Sequence, residues 1–102
     1  MFIILYVTHA NMDEAKKISD HLLQNKMIAC TNFSSIKSSY RWKWEITNDD
    51  EIVTLFKTRA ENREIVRDEI KKIHPYDIPC IIKMEVTANN EYESRIQAET
   101  KK

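Results

Sequence analysis

The chain opens on a near-continuous apolar run, Phe2-Ile3-Ile4-Leu5-Tyr6-Val7. That pattern predicts a strand covered on at least one face. Past Asn11 the period lengthens, and Ala15, Ile18, Leu22 and Leu23 recur at helical spacing. Asn11 supplies an N-cap side chain and Glu14 the reciprocal position of a capping box. A helix is therefore predicted over 12–24, with Asn25 taking the left-handed stop that glycine usually provides. From Ile28 to Ile46 the period becomes two, most clearly in Tyr40-Arg41-Trp42-Lys43-Trp44-Glu45-Ile46, where apolar and charged side chains alternate. Asn48-Asp49-Asp50 offers turn chemistry without glycine, and Ile52 to Lys57 reads as the return strand of a long antiparallel hairpin. The Ser34-Ser35 and Ser38-Ser39 pairs predict a bend or bulge in the outgoing limb. Thr58-Arg59-Ala60-Glu61 repeats the capping-box spacing ahead of a second apolar stripe, Ile65, Val66, Ile70 and Ile73. Pro75 and Pro79 end that helix and stiffen the connector. Cys80 to Val86 alternates again, with Cys80, Ile82, Met84 and Val86 on one face and Lys83 and Glu85 on the other. Tyr92 and Ile96 place a short helix in the tail. The order β-α-β-β-α-β plus a tail predicts an α+β, ferredoxin-like sandwich formed by a single domain over 1–102.

Composition narrows the function classes. Sixteen basic residues cancel sixteen acidic ones, so the concentrated positive charge that nucleic-acid binding requires is missing. The chain has no glycine. A phosphate-cradling P-loop, a dinucleotide-binding fingerprint and a nucleophile elbow all need one, and no nucleotide or organic cofactor is implied. The two cysteines, Cys30 and Cys80, stand fifty residues apart, too sparse for a disulfide scaffold. One bridge between them stays open on sequence alone. The first apolar run is too short for a signal or membrane segment, and the protein reads as soluble and cytoplasmic.

Four short motifs in order, Ala29-Cys30-Thr31-Asn32, Tyr40-Arg41-Trp42-Lys43, Phe56-Lys57-Thr58 and His74-Pro75-Tyr76-Asp77-Ile78-Pro79, resemble the CutA divalent-cation tolerance proteins over almost the whole chain. The resemblance implies a ferredoxin-like protomer, a tight homotrimer with strands paired between subunits, a link to copper and other divalent metals, and kinship with the PII signalling proteins. Three positions depart from the family pattern. Phe33-Ser34-Ser35-Ile36 replaces a Pro-Gly-containing stretch, Trp44 stands where the family usually has glycine, and Cys80 stands where it usually has an acidic residue.

Candidate chemistry lies in two groups. Potential metal donors are His9, His21, His74, Cys30, Cys80 and Asp77, with His74, Asp77 and Cys80 spaced by three around the prolines. Soft thiolate and imidazole donors favour copper. No H-x-x-x-H or C-x-x-C pair pre-arranges two of them. The competing reading has His74 capping a helix C-terminus and both cysteines packing as small hydrophobes. The second group, Tyr40, Arg41, Trp42, Lys57, Tyr76 and Asp77, would line an inter-subunit cleft for a small anionic ligand. The stripe Tyr40, Trp42 and Trp44 is more apolar surface than a hairpin in so small a monomer can hide, which points to subunit packing rather than base stacking. No Ser-His-Asp or paired-carboxylate set stands out. An enzyme working around Tyr76, Asp77 and Lys57, or a purely structural scaffold for a partner protein, remain the alternatives to a ligand-binding trimer.

Overall fold

A computed structural model of the chain describes residues 1–101 and orders them as β1 (Phe2–His9), α1 (Met12–Gln24), β2 (Cys30–Trp42), β3 (Glu45–Thr58), a 3-10 turn at Ala60–Asn62, α2 (Arg63–Ile73), β4 (Ile81–Val86) and α3 (Asn90–Ala98). The sheet order is β2-β3-β1-β4, antiparallel at every pairing, as the ferredoxin-like reading requires. Ile3, Leu5 and Val7 alternate along β1 onto the face that packs against Ile18 and Leu22 of α1 and Val66 and Ile70 of α2, with Phe56 of β3 between them. Each such side chain contributes roughly 1.5–3 kcal/mol by leaving water.

The opposite face of the sheet has no such cover. Ile4, Tyr6 and Leu55 are only partly buried, and Ile82 and Met84 are exposed. The register Ile4↔Met84 and Tyr6↔Ile82 puts the apolar side of β4 on this open face, away from α1 and α2. At one end α3 covers it: Tyr92 meets Phe2 edge-on at 6.0 Å.

Helix α1 begins as expected, with the Glu14 N–H donating to Asn11 Oδ1 at 2.9 Å. Its end differs. Asn25 is not left-handed (φ −93); Lys26 is (φ 55). The Lys26 N–H donates to Leu23 and the Met27 N–H to Leu22, the paired bonds of a Schellman stop. Asn25 instead uses its amide to donate to the His21 carbonyl at 2.8 Å. The capping box expected at Thr58 is absent too. Thr58 is still in β3, and its hydroxyl donates to the Met27 carbonyl at 2.7 Å.

The largest correction concerns the hairpin. Its turn is Lys43-Trp44, both at positive φ (48 and 73), with Trp42 paired to Glu45. A two-residue loop with two positive φ angles is the type I′ pattern, whose twist matches that of the flanking strands. Asn48-Asp49-Asp50 lies inside β3, and pairing runs without interruption from Cys30↔Lys57 to Trp42↔Glu45, so the expected bulge at the serine pairs does not form. Trp44 therefore sits at the tip, 95% exposed, and the aromatic stripe reduces to Tyr40 and Trp42. Since β1 pairs with β3 only as far as Ile52, the ribbon projects beyond the sheet and stretches the molecule to 46 × 25 × 21 Å. Left-handed geometry costs a residue with a Cβ about 1–2 kcal/mol. Lys43→Asn with Trp44→Gly is accordingly expected to raise the stability to denaturant by roughly 1 kcal/mol or more. A lower midpoint would contradict this turn.

Candidate functional site

Three rings meet where β1 and the α2–β4 connector come together. His9, the last residue of β1, is fully buried, and its Nε2 lies 2.8 Å from Thr54 Oγ1 on β3. His74, at the C-terminus of α2, stacks on His9 with centroids 5.2 Å apart, and Tyr76 tilts against His74 at 4.6 Å. The Tyr76 N–H donates to His74 Nδ1 at 3.1 Å. His74 Nε2 therefore carries the proton and donates to the Thr8 carbonyl at 2.8 Å. This fixes one neutral tautomer. Burial lowers the His9 pKa to about 4, helped by the neighbouring His74. His9 Nδ1 has no partner among the described residues.

This stack buttresses one wall of a cavity of about 710 Å³ between the connector and the base of the projecting hairpin. Thr8, Tyr40, Trp42, Asp49, Glu51, Tyr76, Asp77 and Cys80 are in its lining. Period-two alternation puts Tyr40, Trp42, Asp49 and Glu51 on one side of the ribbon. The hydroxyl of Tyr76 donates to Glu51 Oε2 at 2.8 Å, and that of Tyr40 donates to Asp49. Burial and then the Glu51 contact push the Tyr76 phenol well above its ordinary range. The Asp49 hydrogen bond raises the Tyr40 phenol. Burial, and then Glu51, raise the Cys80 thiol, so it is neutral at pH 7.

Four of the expected cleft residues, Tyr40, Trp42, Tyr76 and Asp77, share this cavity. Arg41 alternates onto the other side of the ribbon, opposite Ile46. Lys57 lies six residues along β3 from Glu51, about 20 Å away, where its ammonium donates to Tyr92 Oη at 3.2 Å. An anionic ligand was expected because of Arg41 and Lys57. With neither in the lining and Asp49, Asp50, Glu51 and Asp77 all present, the protomer's cavity repels anions.

The expected metal donors do not converge within one chain. Both ring nitrogens of His74 are engaged, and His21 Nε2 lies 2.6 Å from Glu69 Oε2. Cys30 starts β2 and Cys80 immediately precedes β4, on opposite edges of the sheet. Three strand spacings, about 14 Å, rule out a bridge between them, and both thiols are free. Among the described residues no group of three or more His, Cys, Asp or Glu is placed to hold a metal ion. Of the histidine and cysteine donors only Cys80 lines the cavity, with Asp77 beside it.

Asp49 and Glu51 are the site residues that sequence reasoning missed. With the turn placed at 48–50, Asp49 falls in the loop and Glu51 outside the return strand, and neither has a face; with the turn at 43–44, the register places Glu51 opposite Ile36 and Asp49 opposite Ser38, beside Tyr40.

Residues 3–99 match the CutA1 divalent ion tolerance protein family. The divalent-cation tolerance protein CutA of Pyrococcus horikoshii is 37% identical over 101 residues, 98% of this chain and 99% of its own. A crystal structure of CutA1 from that organism superposes with a TM-score of 0.95 at 38% identity, covering 98% of this chain and 99% of the other. The structure from Archaeoglobus fulgidus, described as a periplasmic divalent cation tolerance protein, gives 0.94 at 34% identity over 97% and 98%. Protein CutA of Arabidopsis thaliana, described as chloroplastic, is 31% identical over 90 residues, 87% of this chain and half of its own.

Proposed function

This chain belongs to the CutA1 divalent ion tolerance family, and we propose that it works as a cytoplasmic homotrimer that binds copper or another divalent cation at a cleft between subunits, as a non-catalytic tolerance or PII-like signalling module. The observation that carries this reading is the sheet's uncovered apolar face beside a projecting ribbon. Ile82, Met84 and Ile46 together leave more exposed apolar surface than a small soluble monomer usually keeps, and copies of the same chain would cover it. β2 and β4 are both edge strands, open to pairing between subunits. No described helix is long and apolar enough to cross a membrane, and two free thiols suit a reducing compartment.

Among the described residues one protomer gathers no set of three metal donors; in this reading the donors are pooled across subunits, with Cys80 as this chain's soft donor. Calorimetric titration with copper(II), and with zinc(II) as a redox-inert comparison, checks this. Cys80→Ser is expected to weaken binding about tenfold or more. Because the thiol is held protonated at neutral pH, protons compete for it, and affinity should rise with pH between 6 and 8 by up to about tenfold per unit. Identical titrations for the two proteins would remove Cys80 from the site. A folded monomer at micromolar concentration in light scattering would remove the inter-subunit cleft.

The alternative of an enzyme around Tyr76, Asp77 and Lys57 needs Lys57 brought in from another copy, since its own ammonium is held at Tyr92.

A further inference from the structure

We propose that the cavity between the hairpin base and the connector is a receptor for a small organic ammonium ion, held by the aromatic faces of Trp42 and Tyr40 and by the carboxylates of Asp77 and Glu51. This goes beyond the metal-binding reading and stands on the protomer's own cavity.

Three observations carry it. The first is size: about 710 Å³ falls within the range of small-molecule pockets. The second is charge. The lining contains four carboxylates and no Lys, Arg or His. One of them, Asp50, is neutralised by Lys37 at 2.9 Å, and two others accept tyrosine hydroxyls. With acidic side chains and no basic one in the lining, a cation is favoured there over an anion. The third is the aromatic wall. Trp42 is 58% and Tyr40 42% exposed, unusual for rings of that size beside a cavity. Trp42 already attracts one cation from its own chain, since the Lys43 ammonium stands 5.6 Å from its ring centroid, and indole is the best ring for that contact.

Within one protomer, these features favour an organic cation over a bare metal ion. A hard divalent ion takes several oxygens in its inner shell, whereas here the carboxylates are spread along the wall and no metal-holding group forms among the described residues. A weakly hydrated alkylammonium gains from ring faces and carboxylates together.

The test uses the full-length protein with Trp44→Phe, so that Trp42 is the single indole. Tetramethylammonium and 1,4-diaminobutane serve as probes, sodium succinate as the anionic control, and Trp42 fluorescence and calorimetry as readouts. Both ammonium probes are expected to saturate below about 10 mM, succinate to give no signal, and binding to weaken as salt is raised. Asp77→Asn should weaken binding about threefold, and Trp42→Ala, followed by calorimetry, about tenfold. Both side chains are exposed on the protomer, so neither change threatens its fold, and light scattering on each variant separates lost binding from lost assembly. Lack of saturation by either ammonium probe, or saturation unaltered by both substitutions, overturns the proposal. Copper binding lost in Cys80→Ser with no ammonium binding would overturn this inference alone. A monomer that still takes up ammonium would support it while removing the inter-subunit cleft.

Discussion

If copies of the chain assemble across the open face as proposed, Ile82→Glu combined with Met84→Glu is expected to leave monomers that keep their helix and sheet content. Both side chains lie on the face of β4 turned away from α1 and α2, so the core of the protomer does not depend on them. If copies of the chain cover that face, each substitution removes roughly 2 kcal/mol of burial from every interface and places a carboxylate there that has no partner. Two of them weaken association by about a thousandfold or more. Light scattering across a dilution series reads the change in mass, and circular dichroism reads the retained fold. An unchanged mass would show that the open face is not where subunits meet, and the proposed cleft would have to be sought elsewhere.

Acid should destabilise the native state through His9. Its ring is fully buried against Thr54, Phe56 and His74, and burial depresses its pKa to about 4, against about 6.5 in an unfolded chain. Between those values the unfolded state binds a proton that the native state refuses, so stability falls as pH drops from about 6.5 to 4, by up to roughly 3 kcal/mol. The carboxyls of Glu69 and Glu93 are held low by His21 and by the N-terminal amine respectively. What they contribute is lost only at still lower pH, as their carboxylates take up protons. Denaturant titrations at pH 7 and pH 5, at one protomer concentration, separate the two windows. In His9→Gln the loss between these pH values should largely disappear. An equal loss in both proteins would assign the acid sensitivity to another group.

Much of the fold was legible because local physics and tertiary structure agree. Helix α1 keeps the bounds that its Asn11 cap and apolar stripe imply, and β1 lies in the centre of the sheet, as a continuous apolar run demands. The hairpin was misread because the alternation Tyr40-Arg41-Trp42-Lys43-Trp44 looks like one strand. Nothing in Lys43-Trp44 announces a turn, whereas Asn48-Asp49-Asp50 does. Strand twist and a thirteen-pair ladder outweighed that local preference. The same error hid part of the site. Tyr40, Trp42, Tyr76 and Asp77 could be named as cleft residues, but their acidic companions depend on a register that only the correct turn supplies. The partners of His74 were not legible for a different reason: its two hydrogen bonds, one to Thr8 sixty-six residues away, are set by tertiary structure.

Among the described residues the left-handed positions, Lys26, Lys43 and Trp44, are all filled by residues with side chains, in a chain that has no glycine at all. Each raises the energy of the native backbone, yet the disordered chain is also stiffer, having lost its most pliant hinges. Folding therefore starts from a narrower ensemble, and part of this protein's stability resides in conformations it never had to surrender.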